Sequence, residues 1–238
     1  MSPTGDKSFF YEEFADRFDQ VMCMYDVNRR LEVIYDEFLN GESLAGKRLL
    51  DAGCGTGWFT KAAVERGASV VSLDMGPRLL AKVNEKAISD KTVGSVLALP
   101  FKLSSFDIIV CSEVIEHTPH PCQAIPELAR VLRPKGRLLL TVPNRRWKFA
   151  LYVANALRLR EYDGHENWVG WKDLGRWLKE NNLQVVDMRG IHILPWFTRV
   201  LSPFLRWVDH RFGHVFGPWM VNICVKAYRL ETVAPKQV

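Results

Sequence analysis

Residues 49–57 read LLDAGCGTG, an apolar run closed by the acid Asp51 and followed by three glycines at alternate positions. The run 48–52 has the length and composition of a buried strand, and residues 60–66 carry apolar side chains at helical spacing. Gly53, Gly55 and Gly57 let the intervening backbone turn tightly and approach a ligand. The helix that follows offers its first N–H groups to an anion. Strand, glycine loop and helix in this order form a nucleotide-binding arrangement and commit the chain to an α/β fold. The spacing is G-x-G-x-G, whereas a dinucleotide fingerprint is G-x-G-x-x-G, which counts against a nicotinamide oxidoreductase. An ordinary glycine turn is the plain alternative.

The rest of the chain repeats the alternation. Strands are expected at 48–52, 69–73, 93–97, 106–111, 137–142, 184–188 and 219–228, with helices at 60–66, 77–87, 123–132 and 171–179 between them. That order predicts one seven-stranded, mostly parallel sheet, Rossmann-like, with helices on both faces and the last strand antiparallel. Apolar positions at helical spacing over 9–39 predict a helical cap. The expected organisation is one domain: cap 1–45, cofactor-binding core 46–190, helical insertion 191–217 and last strand 218–230. Asp74 closes the second strand in VVSLDMG, about 20 residues after the glycine loop, where an acid accepts hydrogen bonds from ribose hydroxyls. Capping the helix that starts near Pro77 is the other use for it.

Four stretches, LLDAGCGTGWFT, VVSLDMG, ALPFKLSSFDIIVCSEVIEH and LARVLRPKGRLLLTVPN, together resemble the class I S-adenosylmethionine (SAM)-dependent methyltransferases. The resemblance implies SAM as methyl donor. Asp51, Gly53, Gly55 and Gly57 would line its methionine end, Asp74 and Met75 would hold the ribose, and Ser112 would lie beside it. Ser95 and Leu97 fall at the adenine end, with Ser95 where many members carry an acid ahead of a Leu-Pro-Phe like Leu99-Pro100-Phe101. Within the class the chain is similar to the ubiquinone-biosynthesis O-methyltransferases, through Glu113-Val114-Ile115-Glu116-His117, Gly164-His165-Glu166 and Gly190-Ile191-His192-Ile193-Leu194-Pro195.

Transfer of a methyl group from a sulfonium to a hydroxyl needs placement and a route for the proton. His117 and His165 are the candidate bases, with Glu116 or Glu166 as orienting partner. A helix cap is the alternative use of His165. Glu113, Glu116 and His117 combine two carboxylates with an imidazole, donors suited to Mg²⁺ or Zn²⁺, or they simply bound the pocket.

The net charge of +5 is concentrated at one end: across 191–230, Arg199, Arg206, Arg211, Lys226 and Arg229 face the single acid Asp209. Segment 195–216, PWFTRVLSPFLRWVDHRFGHVF, interleaves these arginines with aromatics. Ser202-Pro203 and Gly213 predict a helix over 203–212. It fits an interfacial helix on anionic lipid and equally a lid packed on the sheet. Both imply a lipophilic hydroxylated acceptor, a quinone precursor or polar lipid, with a soluble sugar or natural product as alternative. Five scattered cysteines and the absence of a signal-like leader or an 18-residue apolar stretch point to a cytoplasmic protein, peripheral to the membrane at most. No nucleic-acid partner is expected. Pro121-Cys122 lacks the surroundings of a cytosine-attacking thiol, and no Asp/Asn-Pro-Pro-Tyr segment is present. A SAM-binding protein without catalysis remains an alternative.

Overall fold

The computed structural model describes residues 15–149, 166–193 and 202–231. Seven strands form one sheet in the order β3-β2-β1-β4-β5-β7-β6. They are β1 (Arg48–Ala52), β2 (Ser69–Asp74), β3 (Asp90–Val93), β4 (Phe106–Ser112), β5 (Leu132–Pro143), β6 (Leu183–Ile191) and β7 (Asn222–Arg229). β1 pairs in parallel with β2 and β4, β2 with β3, and β4 with β5. Only β7 is reversed, antiparallel to both β5 and β6. The expected Rossmann-like sheet is therefore present. The strand order turns back on either side of β1, which places a crevice at the carboxyl ends of β1 and β4, where such sheets bind ligands.

Adjacent residues on each strand serve opposite faces. Leu49, Val70, Ile108 and Leu139 pack with Val33, Ile34, Tyr35 and Phe38. Leu50, Val71, Ile109, Leu138 and Leu140 pack with Ile125, Leu128, Leu174 and Leu178 on the other side. The second group comes from α5 (Ala124–Val131) and α6 (Trp171–Glu180), the first from the cap. The described cap consists of α1 (Phe18–Val21), α2 (Met24–Leu31) and a π-helical continuation, Glu32–Phe38. Helices α3 (Trp58–Glu65), α4 (Pro77–Val83) and α7 (Ser202–Phe216) complete the coat. Each fully buried aliphatic side chain contributes roughly 1.5–3 kcal/mol, so this two-sided core is the main source of stability.

Two expectations need correction. The third strand is Asp90–Val93 and not 93–97. It pairs with β2 on one side only, so as an edge strand it tolerates the polar sequence DKTV. The apolar residues that suggested a later strand, Val96 and Leu97, lie in a loop that buries the first and half-buries the second. The last helix does not end at Phe212 but runs to Phe216, straight through Gly213. That glycine is there for packing: a Cβ on it would lie 2.7 Å from the Gly190 carbonyl oxygen of β6.

Gly190 itself meets the backbone of Gly217, whose Cα would stand 2.6 Å from an added Cβ. The Gly217 backbone and the Met220 Cβ leave little to yield, so Gly190→Ala is expected to lose about 3 kcal/mol by urea unfolding. Gly175, in the middle of α6 with open space around it, is the opposite case. Gly175→Ala should gain up to ~1 kcal/mol from helix propensity alone.

Candidate active site

The carboxyl ends of β1, β2 and β4 bring together most of the residues singled out at the cofactor. Asp51, at the end of β1, is buried and accepts a hydrogen bond from Thr60 Oγ1 at 2.6 Å. The loop then turns through Gly53, Gly55 and Gly57, all left-handed, and Gly57 caps α3. At Gly53 the requirement is double. Its φ is 78°, and an added Cβ would lie 2.4 Å from a Val114 methyl.

Asp74 resolves the choice between its two uses in an unexpected way. One carboxylate oxygen accepts the Gly55 N–H and the other the Gly76 N–H, each at 2.9 Å, so it ties the loop to the start of α4. Met75 follows, half-buried. Ser95 lies in the loop after β3, its hydroxyl accepting the Leu97 N–H at 3.2 Å, and Leu97 is half-buried against the core.

The cap closes over this loop through residues that sequence patterning did not single out. The Phe18 ring stands 3.4 Å from the Cβ position of Gly55. Asp19 accepts from Thr56 Oγ1 at 2.5 Å and from Trp58 Nε1 at 3.1 Å, and pairs with Lys86 at 2.7 Å.

The end of β4 anchors a second, buried network. Arg30 of α2 donates to Ser112 Oγ at 3.0 Å and to Asp26 at 2.7 Å. Ser112 is 2.8 Å from Thr141 Oγ1, and Thr141 donates to Glu113 at 2.9 Å. Asn222 of β7 donates to the other Glu113 oxygen at 3.0 Å. Glu113 reaches these partners from a left-handed backbone, φ 55°. Glu116 and His117 occupy the following 3₁₀ turn (Ile115–His117), with a His117 Nε2 to Glu116 carboxylate separation of 3.8 Å. The Asn167 N–H donates to the Glu116 carbonyl at 2.8 Å, which draws the segment after Glu166 to this turn. His165 lies outside the described residues.

The expected metal group does not assemble. Glu113 is taken up by Thr141 and Asn222, and no three His, Cys, Asp or Glu side chains among the described residues could hold a metal ion.

Burial shapes the charge of the crevice. It pushes the Asp51 carboxyl up to about 7, with the charge of Asp74 adding and the Thr60 hydrogen bonds opposing. Glu113 is raised by burial, against the pull of Arg30. Glu116 is raised well above the usual carboxylate range, by burial and then by Glu113. All three act on the Cys111 thiol, so they share one neighbourhood. Glu116 Oε2 and Arg30 Nε are buried without hydrogen-bond partners among the described residues. Hard-to-ionise acids around one buried guanidinium suit a ligand carrying both positive charge and a carboxylate. The sulfonium, ammonium and carboxylate of the methionine end of SAM are such a set.

Comparison with known proteins agrees with this geometry. A family model described as a methyltransferase domain matches residues 18–188. A ubiquinone biosynthesis O-methyltransferase of Xanthomonas oryzae pv. oryzae (strain PXO99A) is 35% identical over 168 residues, covering 66% of this chain and 70% of that protein. One from Pseudomonas aeruginosa (strain LESB58) is 30% identical over 192 residues, covering 76% and 82%. Among solved structures, a SAM-dependent methyltransferase of Methanosarcina mazei superposes with a TM-score of 0.62 at 18% identity, covering 82% of this chain and 98% of its own. The chain belongs to the class I SAM-dependent methyltransferases. It is accordingly an enzyme of methyl transfer with SAM as donor.

Proposed function

We propose that the protein methylates a hydroxyl of a lipophilic acceptor, a quinone precursor or a hydroxylated polar lipid. The observation that carries this reading is the Glu116 and His117 turn, which follows β4 at the crevice, with 3.8 Å between imidazole and carboxylate. The likeness to the ubiquinone O-methyltransferases supports oxygen as the atom methylated.

When bound, SAM supplies an electrophilic methyl group on a cationic sulfur. The chain's residues do the rest. Gly53 and Gly55 give the backbone room at the methionine end, with Asp51 countering positive charge there. Arg30 takes the carboxylate through the guanidinium already fixed on Ser112. Asp74 and Met75 hold the ribose, and Ser95 and Leu97 face the adenine. His117, oriented by Glu116, receives the acceptor's hydroxyl proton, and His165 is the second candidate for that task. Against a sulfonium donor the protein's contribution is mostly placement and electrostatics.

A lipophilic acceptor is favoured by α7. Leu205, Val208 and Asp209 are buried, while Phe204 and Trp207 are 60% and 56% exposed and stack on each other. The helix thus both covers the fold, as a lid does, and presents aromatic surface, as an anionic membrane contact requires. Segment 194–201, which carries Trp196 and Phe197, lies outside the described residues, and no described helix is long and apolar enough to cross a membrane.

The test is methyl transfer from labelled SAM to a panel of prenylated catechols, hydroxylated lipids and soluble sugars, followed by His117→Ala on the best acceptor. Transfer to a ring or lipid hydroxyl is expected, with kcat reduced about 10²–10⁴-fold in the variant. Turnover on water-soluble acceptors alone would refute the lipophilic reading. An undiminished His117→Ala would remove that histidine as base.

A further inference from the structure

His192 has no part in the chemistry above, yet few residues in the chain are held so closely. It follows β6 with a left-handed backbone, φ 62°, a conformation that disfavours a residue with a Cβ. It is 3% exposed. Its N–H donates to Asp209 Oδ2 of α7 at 3.0 Å, and its carbonyl accepts the Val221 N–H at 2.9 Å. With the backbone pinned on both sides, the imidazole points back to the cap. There Nε2 lies 2.9 Å from Asp26 Oδ1, while Nδ1 stands 4.0 Å from Asp209 Oδ2. Both ring nitrogens are turned to carboxylates of the protein, an orientation unsuited to accepting a proton from substrate.

What the ring does is seen from Asp26. One oxygen of that carboxylate meets His192, and the other accepts from Arg30 at 2.7 Å. Burial alone would raise the Asp26 pKa, but the Arg30 charge and the His192 contact hold it at about 2, so Asp26 is an anion throughout the working range. Arg30 in turn donates to Ser112. A continuous chain, His192 to Asp26 to Arg30 to Ser112, therefore runs from the end of β6 across the cap to the end of β4. A guanidinium has five donors in a rigid plane, so Asp26 and Ser112, which fix two of its directions, aim the remainder. Without His192, Asp26 would keep only one of its two anchors, and Arg30 would lose the fixed orientation.

We propose that Asp26 and His192 are positioning residues which aim the Arg30 guanidinium at the carboxylate of the donor, so that the turn after β6 sets how tightly the donor is held. This deepens the reading of Arg30 as the carboxylate partner and rests on it.

Calorimetry on the full chain with two probes separates the possibilities. S-adenosylhomocysteine carries the amino-acid end, whereas 5′-methylthioadenosine carries only the nucleoside and thioether. His192→Ala and Asp26→Asn are each expected to weaken S-adenosylhomocysteine about tenfold and to leave 5′-methylthioadenosine within about twofold, as suits the loss of aim of one charge-assisted hydrogen bond. His192→Gln, which can again offer an N–H to Asp26, should restore most of the loss. Equal weakening of both probes would mean a merely structural role and would overturn the proposal, as would no change for either. Arg30→Met tests the underlying reading: if its ratio of the two affinities matches that of the unaltered enzyme, Arg30 does not meet the carboxylate. A changed ratio in Arg30→Met with an unchanged one in both His192→Ala and Asp26→Asn would overturn the positioning role alone. Should His192→Ala fail to fold, Asp26→Asn decides, since it keeps the left-handed histidine in place.

Discussion

Gly53→Ala is expected to lose donor binding and a substantial part of the protein's stability together. Two costs fall on one methyl group. The backbone is left-handed, φ 78°, and the Cβ would stand 2.4 and 2.6 Å from the two methyls of Val114. The first cost is roughly 1–2 kcal/mol and the second, which forces loop or valine to move, roughly 1–3 kcal/mol. For a chain of this size about 3 kcal/mol lowers Tm by roughly 6–12 °C. Relief by moving the loop displaces the N–H groups of Gly53 and Cys54 from the Leu73 carbonyl, which they share at 2.7 and 2.9 Å. That movement carries the whole turn off the crevice, so SAM affinity should fall at least about tenfold, the equivalent of only 1.4 kcal/mol. Gly41→Ala supplies the comparison, with φ 62° and nothing within 4 Å, so it bears strain without collision. Adding Val114→Ala to Gly53→Ala should recover the collision part of the loss and leave the strain. If the double variant is no more stable than additivity of the single ones predicts, the contact with Val114 is not what makes this position a glycine.

The same residue shows why the cofactor half of the site was legible in the sequence. A strand, a tight turn and an acid at the next strand end are consecutive in the chain, so their spacing is the geometry. Asp51, Gly53, Gly55, Asp74 and Ser112 gather in the structure because each ends a strand or follows one. Edge strands are the exception. β3 is polar because only one side of it is paired, while Val96 is apolar because a loop buries it, and a period-two pattern cannot distinguish the cases. Gly213 misled for a related reason: a glycine at the end of a helical pattern signals a cap, but here it allows α7 to lie against the backbone of β6.

The buried network between the cap and the ends of β4 and β6 was far less legible. Asp26, Arg30, Thr141, His192 and Asn222 come from α2, β5, the turn after β6, and β7, separated by up to 196 residues in sequence. Each by itself is an ordinary polar residue. The one usable signal was local polarity in a burial-prone setting, the pair Arg29-Arg30 on a helix whose neighbours Val27 and Val33 are buried. Glu113 was assigned to a metal because Glu113, Glu116 and His117 are close in sequence. From a positive φ its carboxylate is instead engaged by Thr141 and Asn222, and backbone sign is not written in residue type for a glutamate.

Donor affinity should rise with pH through neutrality because of Asp51. Its carboxyl has the ordinary value of 3.8 when unfolded and about 7 in the folded chain. Between these values the folded protein keeps a proton that the unfolded chain has lost, so the contribution of this group to stability falls as pH rises from about 4 to about 7 and is constant above. A cationic methionine end reverses part of that cost, because positive charge beside Asp51 favours the ionised form. Below pH 7 binding must therefore also expel a proton, and affinity should drop by up to about tenfold for each unit of acidification. The thermal stabilisation given by a fixed concentration of SAM is expected to grow from pH 5.5 to pH 8. With 5′-methylthioadenosine, which lacks both positive charges, it should stay flat. Asp51→Asn keeps the acceptor for Thr60 but carries no charge, so it should bind SAM weakly at every pH and without the slope. A slope that survives in Asp51→Asn would assign the pH dependence to another group, with Glu116, also raised by burial, the first to be tested.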